Sequence, residues 1–128
     1  MKKYEVRSDY LYTETHEWIK IENSSGIVGI TDYAQDQLHD IVYIELPEIG
    51  LNVGKGNVVA EIESVKTVAE VYSPVSGQII DVNKELETSP ELINQSPYDD
   101  GWIFKIQISD KNEIKSLLTP EQYLEIIE

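Results

Sequence analysis

The sequence predicts a mainly β fold of the barrel-sandwich type with short helices attached, and three observations support this prediction. Short runs of residues alternate between apolar and polar with a period of two and are rich in β-branched side chains, as strands are. Clusters of glycine, proline, asparagine and serine separate these runs at close intervals. The chain has 128 residues, which suits a single domain over 1–128, with its core at about 10–108 and a helical segment at about 110–128.

The strand predictions follow the alternating runs in chain order. We predict strands at 10–22, 27–30, 41–46, 78–83 and 101–108, in addition to two runs within 58–72. A turn at 23–26 joins the first two strands into a hairpin. Pro47 closes the third strand because proline cannot donate a ladder hydrogen bond. Trp18 is expected to be a buried anchor of the core.

A short helix is predicted to follow the first hairpin. Thr31 is a suitable N-cap residue, and the next residue, Asp32, is favourable in a first helical turn. Apolar residues recur at spacings i, i+4 and i+7 and predict one buried stripe: Ala34, Leu38 and Ile41.

Three further helical segments are predicted toward the C-terminus. A helical turn is expected near 91–93, after a serine and a proline that suit a helix start. Asp110 is expected to cap a helix that runs through Leu118. Residues 119–122 have the pattern of a capping box that opens a last helix. The apolar face of that helix is predicted to be formed by Tyr123, Ile126 and Ile127.

The segment 58–77 carries the most informative feature of the sequence, a lysine at the apex of a predicted β-hairpin. Two alternating runs meet near Val65-Lys66, and Pro74 ends the second run. A lysine amine at such a turn projects away from the core on a flexible stem, while cross-strand pairs hold the hairpin beneath it. This arrangement suits a covalent tether. The alternative is a solvated surface charge that blocks edge pairing.

Lys66 is expected to be the substrate of a modifying enzyme and not a catalyst. The nearby carboxylates of Glu61, Glu63 and Glu70 favour its charged ammonium form, which is not nucleophilic. The sequence contains no GxSxG or HExxH motif, and Ser64 close to the lysine is too weak a signal for a nucleophile and base pair. We therefore predict that the chain is not an enzyme, and no catalytic residue is assigned.

Composition excludes several classes of function. Cysteine is absent, so disulfides, thiolate metal sites and thiol catalysis are excluded, and the two histidines, His16 and His39, are too isolated for a metal site. The formal net charge of −14 opposes binding to nucleic acid or to anionic membranes. Neither a leader peptide nor a run long enough to span a bilayer is evident, so we expect a cytoplasmic protein; the alternative is a mature organellar form whose leader has been removed.

Several motifs resemble those of the glycine cleavage system H-protein family and occur in the same order. They are Thr15-His16-Glu17-Trp18, residues 28–35, residues 40–50, Glu63-Ser64-Val65-Lys66-Thr67, residues 72–77 and residues 96–102. The resemblance extends from about Leu11 to the C-terminal helix. It implies a lipoyl/biotinyl-type barrel-sandwich hybrid of two antiparallel sheets with short helices and a C-terminal helix. His39 stands where the family usually has glycine, which we expect to be a modest change at a helix cap.

The resemblance also implies that the chain is a lipoyl carrier protein. Lipoate would be bound covalently, as an N6-lipoyl-lysine at Lys66. Glycine decarboxylase (P protein) would load an aminomethyl group, the aminomethyltransferase (T protein) would pass the one-carbon unit to tetrahydrofolate, and dihydrolipoamide dehydrogenase (L protein) would reoxidise the dithiol. A lipoate ligase or a lipoyl/octanoyl transferase would modify the lysine. We expect the carrier to be a monomer.

Two groups of residues are assigned to the lipoyl arm by the resemblance. The residues expected to be recognised together with Lys66 are Glu63, Ser64, Val65 and Thr67. The loaded arm would carry a labile cationic amine, which carboxylates in a cleft could hold while apolar walls exclude water. The candidates for this shelter are Glu17, Glu70, Thr15 and Ile30.

Three other functions remain open at this point. A lipoyl relay protein, which donates lipoate to 2-oxoacid dehydrogenase subunits, would use the same Lys66, and the motifs favour glycine cleavage only mildly. A biotin carrier on the related fold is disfavoured because biotin acceptors have methionines beside the lysine, whereas this chain has Val65 and Thr67. A purely structural β-domain is the third alternative.

Overall fold

The computed structural model describes residues 3–128, and nine strands in this part of the chain form two antiparallel sheets. The strands are β1 (Leu11–Tyr12), β2 (Glu17–Glu22), β3 (Ser25–Ile30), β4 (Ile41–Glu45), β5 (Asn52–Val53), β6 (Val58–Ser64), β7 (Val68–Tyr72), β8 (Gly77–Val82) and β9 (Phe104–Ile108). The larger sheet has the strand order β1-β2-β3-β9-β8-β5, and the smaller has the order β4-β6-β7. The predicted fold class is confirmed.

Short helices connect and flank the sheets. Helix α1 (Asp32–Leu38) lies between β3 and β4, α2 (Leu92–Gln95) lies between β8 and β9, and α3 (Pro120–Ile127) follows the last strand. Two 3₁₀-helical segments cover Lys84–Glu87 and Lys111–Ser116. Within residues 3–128, no helix has the length and apolar character needed to cross a membrane.

The first hairpin positions the largest side chain of the core. Strands β2 and β3 pair over their full length, and Asn23 makes the turn between them with a left-handed φ of 58°. Trp18 is only 1% exposed, and a Cβ atom on Gly29 would lie 2.7 Å from its indole ring. A larger residue at Gly29 would therefore displace the indole. The prediction that Trp18 is a buried anchor is confirmed.

The smaller sheet carries the predicted lysine hairpin, which is formed by β6 and β7. The last cross-strand pair before the turn joins Glu63 to Val68. Side chains of β6 alternate between buried and exposed from Ala60 onward, as the sequence predicts. A register shift at the start of β6 interrupts this alternation. Lys66 lies in the turn, so the predicted hairpin is confirmed.

Two groups of buried side chains hold the sheets and helices together. The larger group is mainly aliphatic and includes residues of both sheets. The second group is aromatic and consists of Tyr10, Tyr12, Trp18, Tyr98 and Tyr123. Within it, the Tyr123 ring of α3 stacks on the Tyr12 ring of β1 with centroids 4.7 Å apart. This contact attaches the C-terminal helix to the larger sheet.

Helix α1 ends earlier than its apolar stripe predicts. Thr31 caps it as predicted, by accepting a hydrogen bond from the N–H of Ala34. The helix stops at Leu38, and His39 reverses the chain with a φ of 66°, so this histidine does occupy the C-cap. Ile41 is the first residue of β4 and not part of the helix. The spacing was misleading because a buried strand residue has the same apolar character as a buried helix residue.

Two predicted strands are shorter than their alternating patterns. The region 10–22 is divided into β1 and β2 by a turn at 13–16. The last strand begins at Phe104 instead of residue 101, because a turn precedes it in which the N–H of Gly101 donates to the Ser96 carbonyl oxygen at 2.8 Å. In both places local backbone hydrogen bonds replace the ladder of a sheet.

The C-terminal helices agree with their capping signals but not with their predicted extents. The Asp110 side chain caps a 3₁₀ helix that ends at Ser116, two residues before the predicted end. The capping box at the start of α3 is present. Ile126 is 45% exposed and does not belong to the packed face of α3. Tyr123 and Ile127 provide that face by packing in the aromatic cluster.

Candidate functional site

The turn at the tip of the smaller sheet is organised by Ser64. Its buried hydroxyl accepts hydrogen bonds from the backbone N–H groups of Lys66 at 3.2 Å and Thr67 at 3.1 Å. The same hydroxyl donates to the Thr67 carbonyl oxygen at 3.2 Å, and the Ser64 N–H donates to that oxygen at 2.8 Å. One side chain therefore fixes the backbone that carries Lys66.

The other side chains of the turn face solvent. Val65, Lys66, Thr67 and Val68 are all exposed. Within residues 3–128, the Nζ atom of Lys66 has neither a hydrogen-bond partner nor an ion-pair partner. The N–H of Val65 donates to the Asp40 carbonyl oxygen at 2.9 Å, which ties the tip to the segment between α1 and β4. The Lys66 side chain is thus exposed on a turn whose backbone is fixed.

A cleft of about 300 Å³ lies beside the hairpin. Its walls come from the turn before β2, from β2, β3 and α1, and from the hairpin strands β6 and β7. The cleft lining includes all four residues predicted to shelter the arm: Thr15, Glu17, Ile30 and Glu70. The lining also includes Ala69, which is three residues beyond Lys66 and therefore at most about 10 Å away along the chain.

Glu17 is almost completely buried in the wall of this cleft, with 1% of its surface exposed. Its Oε1 atom accepts hydrogen bonds from the hydroxyls of Thr13 and Thr15 at 2.6 and 2.5 Å. Its Oε2 atom accepts the backbone N–H of Tyr72 at 3.1 Å. Burial raises the pKa of the Glu17 carboxyl above its ordinary value of 4.5, and these hydrogen bonds oppose the rise. Through its hydrogen bond to Tyr72, the Glu17 carboxylate of β2 links the larger sheet to β7.

Glu70 also lines the cleft but is exposed. Its Oε1 atom accepts a hydrogen bond from the Tyr72 hydroxyl at 3.2 Å, and this bond raises the pKa of that hydroxyl. Glu61 lies directly opposite Glu70 in the sheet, and Glu45 lies opposite Glu61. This row of carboxylates makes the hairpin surface acidic. Within residues 3–128, no group of three or more acidic residues and histidines could hold a metal ion.

His16 is a cleft residue that the sequence analysis missed as a site residue. Its ring lines the cleft and packs against the ring of Tyr33 with centroids 4.8 Å apart. Its Nδ1 atom lies 2.8 Å from the hydroxyl of Tyr123, which is 107 residues further along the chain. No local pattern connects two residues that are so far apart.

Helix α1 supplies further cleft residues that were not predicted for the site. They are Tyr33, Ala34, Gln37 and Leu38. Their spacings, i, i+1, i+4 and i+5, are those of one helix face. The apolar part of this face is the stripe that the sequence predicts, and the structure shows that the stripe borders the cleft.

Comparison with known families gives a match to almost the whole chain. The sequence model of the Glycine cleavage H-protein family matches residues 10–128. A relative from Aeropyrum pernix, described as a probable glycine cleavage system H protein, is 53% identical over 125 residues, which are 98% of this chain and 87% of the relative. The glycine cleavage system H protein of Thermotoga maritima is 55% identical over 114 residues, which are 89% of this chain and 92% of the relative.

A solved structure has the same architecture. The crystal structure of a glycine cleavage system H protein from Mycobacterium marinum matches this chain with a TM-score of 0.85 and 36% sequence identity. The match covers 94% of this chain and 97% of that chain. The similarity therefore extends over the whole fold and is not confined to the lysine hairpin.

Proposed function

The chain belongs to the glycine cleavage H-protein family, and from this premise we propose that Lys66 is its lipoyl-attachment residue. Proteins of this family are the non-catalytic lipoyl carriers of the glycine cleavage system, and this chain is such a carrier. The observation that supports Lys66 is its place at the tip of the hairpin, with an exposed amine on a turn that Ser64 fixes.

The residues around Lys66 fit a lipoyl group in amide linkage. Within residues 3–128 the amine is unpaired, so no existing contact has to be broken before it is acylated. The cleft lining reaches Ala69, which is at most about 10 Å from Lys66 along the chain, and the acyl chain of lipoate lengthens the lysine side chain toward such a distance. The apolar walls formed by Ile30, Ile62 and Ala69 suit a hydrocarbon chain.

Attachment requires an enzyme that contacts the tip. A lipoate ligase or a lipoyl/octanoyl transferase would reach Lys66 through the residues that surround it. Three of them, Glu63, Val65 and Thr67, are exposed, whereas Ser64 is buried and acts by holding the turn. The recognition surface proposed here is therefore formed by the three exposed side chains, in a backbone geometry set by Ser64.

The glycine cleavage system supplies the partners of this carrier, namely the P, T and L proteins. When bound, lipoate supplies a disulfide that takes up the aminomethyl group from glycine decarboxylase and a dithiol that dihydrolipoamide dehydrogenase reoxidises. The chain presents this arm as a monomer and visits its partners in turn, delivering the aminomethyl group to the aminomethyltransferase. Its net charge of −14 favours association with basic docking surfaces.

The cleft shelters the cationic amine of the loaded arm. A carboxylate offers about four lone-pair sites, and three of those on Glu17 are occupied by Thr13, Thr15 and Tyr72. The remaining site on Oε2 can accept a charge-assisted hydrogen bond, which is strong where water is excluded. Glu70 adds a second negative charge to the same cleft. Thr15 orients the buried carboxylate, and Ile30 contributes to the apolar wall.

Intact and peptide mass spectrometry of the protein from lipoate-supplied cells tests the attachment site. We expect one lipoyl amide, mapped to Lys66, in the wild type and none in Lys66→Arg. Lys55→Arg is the matched control, because Lys55 is also an exposed lysine in a turn, and it should be lipoylated like the wild type. A lipoyl group on another lysine would contradict the proposal. An unmodified chain in cells that lipoylate their other acceptor proteins would also contradict it.

A further inference from the structure

A buried hydroxyl of the C-terminal helix connects the cleft wall to the cap of helix α1. The Tyr123 hydroxyl oxygen lies 2.7 Å from Thr31 Oγ1 and 2.8 Å from His16 Nδ1. Tyr123 and Thr31 are completely buried, whereas His16 is half-buried and lines the cleft. The backbone joins the same elements, since the Thr31 N–H donates to the His16 carbonyl oxygen at 3.0 Å.

The directions of these hydrogen bonds follow from the available donors and acceptors. Thr31 Oγ1 accepts the N–H of Ala34 at 3.2 Å, and within residues 3–128 its one other partner is the Tyr123 hydroxyl. A buried hydroxyl proton without an acceptor is destabilising, so Thr31 donates to Tyr123. The Tyr123 proton then has one acceptor, the Nδ1 atom of His16. Because Nδ1 accepts, the neutral imidazole carries its proton on Nε2.

The Nε2–H group of His16 belongs to a ring that lines the cleft. Within residues 3–128 this nitrogen has no hydrogen-bond partner, and it is not buried. The ring is held from one side by Tyr33 and from another by Tyr123. The backbone of His16 has a left-handed φ of 73°, a conformation in which histidine is enriched among the residues other than glycine.

We propose that Tyr123 is a positioning residue that holds His16 in the cleft wall as the neutral Nε2–H tautomer. This inference rests on the proposed function of the cleft as a shelter for a cationic amine. A neutral imidazole adds a hydrogen-bond donor without adding a positive charge, and a positive charge would repel the amine that Glu17 and Glu70 attract. The C-terminal helix thus acts on the cleft although none of its residues lines it.

Burial and hydrogen bonding favour the neutral ring of His16, whereas the cleft carboxylates favour the charged ring. The groups that face it are Tyr123 of α3, Tyr33 of α1, and the cleft carboxylates Glu17 of β2 and Glu70 of β7. Burial lowers the pKa of His16. The hydrogen bonds act in the same direction, because a protonated ring would donate from Nδ1. Tyr123 would then have to donate to the buried threonine, whose own proton would lose its acceptor.

Nitrogen-15 NMR of the unmodified protein tests this inference without lipoate. In the wild type at neutral pH, we expect the His16 signals of an unprotonated Nδ1 and a protonated Nε2. Tyr123→Phe keeps the ring that stacks on Tyr12 but removes the donor to Nδ1. It should raise the proton affinity of His16 on the order of tenfold, as expected for the loss of one hydrogen bond to the neutral ring.

The matched control is Tyr12→Phe. It removes a hydroxyl from the adjacent stacked ring, but that hydroxyl bonds to Arg7 and not to His16. The control should leave both the tautomer and the titration of His16 unchanged. In the lipoylated carrier, the lifetime of the aminomethyl-loaded form should fall at low pH, where His16 becomes protonated. Tyr123→Phe should move this fall to a higher pH, closer to neutral, and Tyr12→Phe should not.

Two results would overturn the inference. The first is a protonated Nδ1 in the wild type, and this measurement decides the matter even if Tyr123→Phe does not fold. The second is an identical His16 titration in the wild type and in folded Tyr123→Phe. Both readouts use the unmodified chain, so they are independent of whether Lys66 is lipoylated. An unmodified Lys66 in cells that lipoylate their other acceptor proteins would contradict the proposed function. It would not change the NMR result for His16.

Discussion

The hairpin tip and the wall of the cleft differ in how far along the chain their contacts reach. At the tip, the Ser64 hydroxyl bonds to residues two and three positions away. In the wall, Glu17 bonds to Tyr72, which is 55 residues later, and His16 bonds to Tyr123, which is 107 residues later. Apart from the backbone bond between Val65 and Asp40, the contacts of the tip are local, whereas the wall requires the sheets and the C-terminal helix to pack. Attachment and shelter should therefore respond separately to substitution.

The largest effect that separates the two regions is expected for Lys66→Arg. Lipoylation should be abolished, because a guanidinium does not replace the amine that forms the amide. Since the side chain is exposed and unpaired within residues 3–128, the free energy of unfolding should stay within about 0.5 kcal/mol of the wild type. Mass spectrometry and urea denaturation measure the two quantities. A variant that unfolds, or that is still lipoylated, would contradict the assignment of Lys66 as an exposed attachment residue.

Glu17→Ala should give the opposite pattern, with normal lipoylation and a loss of stability. The variant leaves the partly buried Tyr72 N–H and Thr13 hydroxyl without their acceptor, which should cost about 1–3 kcal/mol in the free energy of unfolding. Urea denaturation measures this loss. Glu14→Ala is the control, because Glu14 is an exposed acid in the same turn. Equal stabilities of the two variants would show that Glu17 does not link the sheets.

Ser64→Ala should have a smaller effect, confined to the tip. Its hydroxyl holds the turn by three hydrogen bonds to backbone groups, and its loss should cost about 0.5–1.5 kcal/mol. Lipoylation of Lys66 should become slower but still reach completion. Rates of lipoylation in vitro are compared with those of Ser25→Ala, which removes a hydroxyl from the β2–β3 hairpin. Equal rates for the two variants would argue that the turn geometry does not matter for recognition.

The smallest expected effect is a pH dependence of folding stability that arises from Glu17 in the wall of the cleft. Burial raises the pKa of Glu17 above 4.5 in the folded state. The folded state therefore keeps a proton that the unfolded state releases, and the contribution of Glu17 to stability decreases as pH rises from about 4.5 through its folded pKa. Glutamine does not titrate, so the stability of the wild type relative to Glu17→Gln should decrease with rising pH.

Urea denaturation of both proteins at acidic and neutral pH measures this trend. Glu14→Gln provides the control, because it removes an exposed carboxyl from the turn that precedes Glu17. If the stability of the wild type relative to Glu17→Gln instead increased with rising pH, this would contradict the raised pKa of Glu17.

The tip could be predicted from the sequence because its determinants are local. Alternation in β6 and β7, a proline after the second strand and a lysine between them are all within one segment. The same reasoning correctly began a strand at Ile41 but also counted Ile41 in the apolar stripe of the helix, because periodicity does not show where His39 reverses the chain. It also placed Ile126 on a buried face, although that side chain is 45% exposed near the end of the chain.

The wall could not be predicted in this way. The family resemblance supplied the four shelter candidates, which are Glu17, Glu70, Thr15 and Ile30. The structure brings these four residues into one cleft. Nothing in the spacing of the sequence connects them. His16 was considered only as an isolated histidine, because its partner on the C-terminal helix is 107 residues away. Their roles toward the arm, like that of Lys66, stay predictions.

The lifetime of the aminomethyl-loaded carrier tests the separation of attachment from shelter most directly. Wild type, Glu17→Gln and Glu14→Gln should first be shown by mass spectrometry to be equally lipoylated at Lys66. Glu17→Gln should then shorten the lifetime several-fold, and Glu14→Gln should leave it unchanged, because only the first removes a carboxylate from the cleft. Equal lifetimes in all three carriers would contradict the assignment of the shelter to this cleft.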